Sequence, residues 1–220
     1  AHCYERALLS GVCDNLVITT PDQEIIDWAN LFNIPSVLTS HSHQRATDRA
    51  KETLDILLNE GLHYDLVLLL QGDEPQIFPE DISKLKQALS TKEFEVVNLV
   101  FPISNDELED PNVVKVTLDK NLNIHFFSRS LIPYECLSGF RQLGMIGFTT
   151  KALQNYSSLL PTSLEEVESI DMMRFIENDF SIQGVLSSSQ ILGVDTPQDL
   201  SKVEEIMLND RFVSLYKKKY

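Results

Sequence analysis

The sequence predicts an α/β protein, a three-layer α/β/α, doubly wound arrangement with a mostly parallel sheet and one inserted β-hairpin. Three observations lead there. Short apolar runs alternate with segments of helical periodicity along the chain. Several of those runs are apolar at nearly every position, as in strands covered on both faces. One pair of strand-like runs, 113–118 and 122–128, flanks Asp119-Lys120-Asn121, a turn signal that predicts a hairpin. At 220 residues the chain is long enough for one sizeable core, so a single domain over 1–220 is expected.

In order, AHCYERALLSG predicts an amphipathic helix with no strand before it, as if the chain opened in mid-fold. Residues 16–19 are a short strand. Thr20-Pro21-Asp22-Gln23 then reads as a capping box opening a helix over 21–33. A second strand covers 36–39, and a long helix over 44–60 stops at Gly61. The run 65–70 is the next strand, Pro79 opens a helix to 89, and 95–103 is again apolar. After the hairpin come a strand at 145–149 and a helix over 163–178 whose capping box is read at Ser163-Leu164-Glu165-Glu166. A strand follows at 182–186, and a further strand-like run, 191–194, ends in Asp195 before a capped terminal helix. The Lys217-Lys218-Lys219 tail is expected to be solvated and frayed.

A formal charge of −15 argues against general binding to nucleic acid or to an anionic membrane surface, both of which need a basic face. Cys3, Cys13 and Cys136 are odd in number and widely spaced, which disfavours a disulfide framework or zinc site and suits a reducing compartment. No run approaches the roughly 18 apolar residues of a membrane helix, and no signal-peptide pattern is present. A cytoplasmic protein is expected.

In doubly wound sheets ligands bind beyond the carboxyl ends of the strands. Asp73 follows the run 66–70, and Asp195 follows 191–194. Two carboxylates from separate strand ends suit Mg²⁺, which takes one or two protein carboxylates and completes its shell with water and phosphate. Gly72 would allow close backbone approach, and Pro75 and Pro197 stiffen the turns that carry the acids. Asp195 has a competing role as dipole partner of the last helix.

Six blocks, in order, carry a resemblance: Tyr4-Glu5-Arg6-Ala7; Gln44-Arg45-Ala46-Thr47-Asp48-Arg49; Gln71-Gly72-Asp73-Glu74-Pro75; Asp110-Pro111-Asn112-Val113-Val114-Lys115-Val116; the stretch Phe126 to Tyr134, which reads FFSRSLIPY; and Gly193-Val194-Asp195-Thr196-Pro197-Gln198-Asp199-Leu200. Together they resemble the CMP-Kdo synthetase (3-deoxy-manno-octulosonate cytidylyltransferase) family, over essentially the whole chain. The resemblance implies a nucleotide-diphospho-sugar transferase-like fold, a place in lipopolysaccharide biosynthesis and a homodimer with the 111–134 hairpin as its arm. It implies transfer of CMP from CTP to the anomeric hydroxyl of a 3-deoxy-2-ulosonic acid, with release of pyrophosphate. Asp73 and Asp195 would then be the catalytic, Mg²⁺-holding pair. Thr19, Thr20, Gln44, Thr47, Gln71 and Gly72 would approach the nucleotide. Gln71, Arg129, Gln142 and Asp171 would approach the sugar acid, Arg129 through its carboxylate.

The chain departs from the family pattern in three places. The opening block, a strand with a Pro-Ala-Arg loop and a Lys-bearing turn, has no counterpart, so an interrupted sheet and negligible transfer by the chain on its own are expected. Arg45-Ala46 stands where the family has a small residue and Gly. Gln142 replaces a His and Ile146 a Tyr, while Asp171 and Met172 replace Glu and Gln. These exchanges leave the acceptor open between Kdo and a related ulosonic or nonulosonic acid. Two alternatives stand beside this reading: an impaired homologue that binds ligand or dimerises, and a nucleotide-sugar glycosyltransferase. The pair His41 and His43 is too small a set for a metal site, and nothing marks Cys136 as activated.

Overall fold

The computed structural model describes residues 1–136 and 138–219. In chain order its elements are α1 (His2–Ser10), β1 (Ile18–Thr20), α2 (Gln23–Leu31), β2 (Ser36–Leu38), α3 (Ala46–Asn59), β3 (Leu66–Leu70), α4 (Pro79–Ser90) and β4 (Val96–Pro102). They continue as β5 (Lys115–Leu118), β6 (Asn123–Ser128), β7 (Phe140–Thr149), α5 (Thr150–Tyr156), α6 (Ser163–Glu168), α7 (Met172–Glu177), β8 (Ile182–Leu186), α8 (Pro197–Met207) and α9 (Val213–Tyr216).

Helices cover both faces of a mixed sheet. Alternation along β4 divides its side chains: Val96 and Val100 face a core built with α3, α5 and α7, whereas Val97 and Leu99 face one built with α1 and α4. Strand directions differ from the expected, mostly parallel pattern. The main sheet runs β3-β7-β4-β8-β6-β5, with β5 also touching β7. Among the described residues only β1–β2 and β4–β8 pair in parallel; β3–β7, β4–β7, β5–β6, β5–β7 and β6–β8 are antiparallel. The physical reason is β7, which is twice as long as expected and returns between β3 and β4. Its first half carries Arg141, Gln142 and Gly144, so it lacks the apolar signature of its second half. The hairpin β5–β6 forms as expected, its turn held by Asp119, whose carboxylate accepts from the Asn121 and Asn123 amides. It extends the main sheet instead of standing apart from it.

A second departure concerns the helix expected over 163–178. Ser169 adopts a left-handed conformation (φ 58°) and divides it into α6 and α7. The capping box also lies one residue earlier, between Thr162 and Glu165. Glu165 is therefore recruited twice, because Arg174 of α7 grips it with two bonds of 2.6 Å while stacking over the Tyr156 ring at 4.2 Å. The three tail lysines are exposed, as expected, but the C-terminal segment is fastened: Lys219 pairs with Glu5 at 2.6 Å, and the Tyr216 hydroxyl meets His2 Nδ1 at 2.8 Å. Among the described residues no helix is long and apolar enough to cross a membrane.

Among the described residues the strands fall into two sheets: β1 and β2 form a separate pair, and β3 ends the order of the main sheet, so one edge of β1 and one of β3 lack a neighbouring strand. Between them lies a cavity of about 940 Å³, walled by 16–20 and 65–70 and floored by apolar side chains such as Trp28, Leu54 and Leu57. Asn15 bridges its mouth to the Tyr64 hydroxyl at 2.6 Å, which places the starts of β1 and β3 at the same end.

The Glu165–Arg174 pair fastens α6 to α7 and yields a prediction. Glu165→Ala removes both short bonds from a buried guanidinium and leaves it only the longer Asp48 pair at 3.7 Å, which should cost about 3 kcal/mol in urea unfolding. Adding Arg174→Met should recover part of that loss. Equal stability of the Ala variant and the parent chain would refute the role.

Candidate active site

At the end of β3 the chain leaves the sheet but remains fastened to it. The Gln71 amide donates to the Gly144 carbonyl (2.9 Å), and the Glu74 carboxylate accepts from the Gly144 amide (2.7 Å). A Cβ on Gly144 would lie 2.9 Å from Gln71 Oε1, so any larger residue here would push the Gln71 side chain from its place. The intervening turn lifts Gly72 and Asp73 to the surface, with open space beside Gly72.

The expectation that Asp195 ends a strand is not met. Residues 191–195 form an irregular segment, because their hydrogen bonds go to the QGDEP loop and not to a strand ladder. Val194 N donates to Asp73 O at 2.9 Å, and Leu192 N reaches Gln76 Oε1 at 3.3 Å. Asp195 is thereby brought beside Asp73. Its competing role is filled otherwise: Thr196 and Asp199 make the capping box of α8.

Two carboxylates side by side perturb each other. The Asp73 pKa is raised, first by partial desolvation in its loop and further by the Asp195 charge. Glu74 is buried beneath them, and its pKa is pushed up to about 7 by burial, against the pull of the Gly144 bond and with added push from Asp73. Among the described residues no cluster of three or more metal-ligating side chains exists. A pair of acids fits a hard divalent ion that takes most of its ligands from water and phosphate.

The residues expected at the sugar sort into several environments. Gln142, half-buried on β7, donates through Nε2 to Asn98 Oδ1 at 2.6 Å. Asp171 holds the start of α3, accepting from the Thr47 hydroxyl at 2.6 Å; burial raises its pKa, and the Thr47 bonds oppose the rise. Arg129 is a staple more than an open fork. Its guanidinium donates to the carbonyls of Glu168 (2.9 Å), Pro111 (3.0 Å) and Ser169 (3.5 Å). Arg45, where a smaller residue was expected, donates to Ser169 Oγ at 2.8 Å.

The early residues lie by the cavity. Thr19 Oγ1 meets Thr53 Oγ1 at 2.6 Å, and Thr20 Oγ1 accepts from Asp22 N at 3.1 Å, so both hydroxyls have structural partners. Thr20 thus steadies the entry to α2, whose N-cap is Asp22 and not the expected Thr20. Gln44 is exposed just before α3. Two residues of this region escape sequence reasoning, Asn98 and Glu74. Asn98 had a signal, a lone polar side chain inside the apolar run 95–103. Glu74 reads as a turn former, and only the fold reveals its bond to Gly144.

The buried Glu74 carboxyl makes stability depend on pH. A carboxyl whose folded pKa lies above its unfolded one binds the proton more tightly when folded. Stability therefore falls as pH rises from about 4.5 towards about 7. In EDTA-treated protein, Glu74→Gln should melt lower than the parent at pH 4.5 or match it, and melt higher at pH 8. Parallel melting curves for the two proteins across this range would contradict the assignment.

Comparison with known proteins agrees with this geometry. A family model described as cytidylyltransferase matches residues 1–185. The 3-deoxy-manno-octulosonate cytidylyltransferase of Thermodesulfovibrio yellowstonii is 34% identical over 220 residues, covering 94% of this chain and 86% of the relative. That of Bacteroides thetaiotaomicron is 33% identical with the same coverage. Among solved structures, a CMP:2-keto-3-deoxy-manno-octonic acid synthetase complexed with CTP superposes with a TM-score of 0.85 at 30% identity, covering 94% of this chain and 86% of that one. A 4-diphosphocytidyl-2C-methyl-D-erythritol synthase from Anaerococcus prevotii, at 16% identity and TM-score 0.60, shares the fold. With two acid-bearing loops joined at one sheet edge and a family match over most of its length, the chain belongs to the cytidylyltransferase family.

Proposed function

We propose that the chain transfers CMP from CTP to the anomeric hydroxyl of 3-deoxy-manno-octulosonate or a closely related sugar acid, releasing pyrophosphate. The observation that carries this reading is the Val194 N–Asp73 O bond, which joins the loops of Asp73 and Asp195. Those two carboxylates would hold Mg²⁺, which when bound neutralises charge on the triphosphate and on the attacking oxygen. The chain's own part is positioning. The Gln71 and Gly72 backbone, fastened through Gly144, sets the height of Asp73 above the sheet. Glu74 supports that turn from below. Gln71 and Gln142 offer amides to hydroxyls of the acceptor, and Asp171 with Thr47 sets the start of α3 beside Gln44. Arg129 contributes to the sugar side mainly by fixing the segment around Glu168. Thr19 and Thr20 would border the nucleotide from β1. The relatives' names supply the sugar acid and the CTP-bound structure supplies the nucleotide.

The finer features belong to the same proposal. We read the two sheets as one doubly wound sheet interrupted between β1 and β3, the cavity taking the place of the family's opening strand within a single 1–220 domain. The 111–134 hairpin would be the arm of a homodimer, a reading supported by Tyr134, which is 90% exposed at its end. A cytoplasmic setting suits a nucleotide triphosphate substrate.

Two measurements test these readings. Pyrophosphate release from CTP, 3-deoxy-manno-octulosonate and Mg²⁺, assayed at protein concentrations high enough to read the weak turnover expected of the chain on its own, should fall on the order of 100-fold in Asp73→Asn and in Asp195→Asn, a loss of charge stabilisation. Either variant turning over at the parent rate would remove the acid pair from the mechanism. For the cavity, an uncharged, β-branched peptide of about six residues should shift the emission of Trp28, the chain's one tryptophan, to the blue and raise the melting temperature. Unchanged emission and melting would refute a strand-accepting gap.

A further inference from the structure

Strand β7 carries a bulge whose carbonyls are met by one side chain. Asn98 of β4 pairs with Ile146, yet Val100, two residues on, pairs with Gln142. Leu143, Gly144 and Met145 therefore stand opposite Leu99 alone, and the ladder cannot satisfy all of their backbone groups. Asn98 is fully buried and turns its amide nitrogen to this gap, donating to the carbonyls of Leu143 (3.0 Å), Met145 (3.2 Å) and Leu99 (3.0 Å).

That network settles which way the amide points. Three carbonyls around Nδ2 can only accept, so the nitrogen end of Asn98 must face them and Oδ1 must face the other way. Oδ1 then has one donor at hand, Gln142 Nε2 at 2.6 Å. The second amide is thus oriented by the first, and Gln142 keeps Oε1 for whatever reaches its half-buried end. Across the bulge, the Gln71 side chain occupies the space that a Cβ on Gly144 would take. The bulge accordingly sets two glutamine amides on either side of Gly144, at the edge where QGDEP emerges.

We infer that Asn98 is a positioning residue for the acceptor sugar: it fixes Gln142 so that Oε1 accepts a hydrogen bond from one hydroxyl of the sugar acid. Asn98 itself does not touch the substrate. The inference rests on the transferase reading for the identity of the ligand, while the orientation of the two amides rests on the bulge alone. An apolar residue at 98 would free Gln142 to turn, and the acceptor would lose a preset partner.

Calorimetry with 3-deoxy-manno-octulosonate, with CTP titrated separately, tests the ligand side. Asn98→Val and Gln142→Leu should each weaken sugar-acid binding roughly tenfold, the worth of one well-placed hydrogen bond. Neither should move the CTP affinity, and the double variant should bind no worse than Gln142→Leu. A fluorine-for-hydroxyl analogue that cannot donate should lose affinity for the parent chain at one ring position and lose none further for Gln142→Leu. Additive losses, or an equal loss for CTP, would overturn the inference in favour of a general structural role. The amide side is read by ¹⁵N side-chain NMR, which needs neither turnover nor the sugar. The Gln142 amide should show one slowly exchanging, downfield-shifted proton in the parent chain. A fast-exchanging Gln142 amide in the parent would overturn the orientation even if Asn98→Val fails to fold. Failure of the parent to bind any sugar acid would instead overturn the transferase reading and the hydroxyl assignment with it.

Discussion

The catalytic edge depends on β7 lying wedged between β3 and β4 with its bulge at Leu143-Gly144-Met145. On the β3 side the ladder stays in register through Leu70 and Met145, and Gly144 is its next rung. The Gly144 carbonyl accepts from the Gln71 amide and its amide donates to the Glu74 carboxylate, so the loop is anchored at its first and fourth residues. Asp73, between them, is held at the surface by these anchors and by the Val194 amide on its own carbonyl. The same bulge requires Asn98 on the opposite side, and Asn98 in turn holds Gln142. Strand β7 thus anchors the acid loop along its β3 side and, through the bulge on its β4 side, orients Asn98 and Gln142.

Electrostatics explains why such a site would depend on a divalent ion. The chain carries a formal charge of −15 and its proposed substrate is a polyanion joined to an acid. Cations close to the site are already engaged: Arg141 by Glu107, Arg174 by Glu165, Arg45 by Ser169, and Arg129 by three carbonyls. The Asp73–Asp195 pair adds further negative charge at the edge where a triphosphate would approach. A hard cation resolves both repulsions at once, between the acids and between acid and phosphate. The gap between β1 and β3 sits beside this edge, and among the described residues each of the two strands turns an unpaired edge to it.

Much of this was legible in the residues. The apolar run 66–70 closing in Gly72-Asp73 and the block around Asp195 carry their own chemical signal, and helices declare their starts, α4 by Pro79 and α8 by its capping box. Strand direction was not legible, because a strand covered on both faces has the same apolar pattern whichever way it runs. The first half of β7 was hidden by the polar and small residues that do its work. Ser169 is an ordinary residue in an unusual conformation, so the break between α6 and α7 left no mark. Arg129 and Asp195 were both expected after strands. The first is largely occupied by carbonyls, and the second reaches its place through a loop bonded to Asp73, since partners far along the chain decide both outcomes.

A crystal structure of the chain with CTP, Mg²⁺ and 3-deoxy-manno-octulosonate tests the central claim most directly. Asp73 and Asp195 should each put a carboxylate oxygen on the metal, with the α-phosphate over the QGDEP turn and Gln142 Oε1 on a sugar hydroxyl. A metal touching neither aspartate, or a nucleotide bound away from that turn, would contradict it.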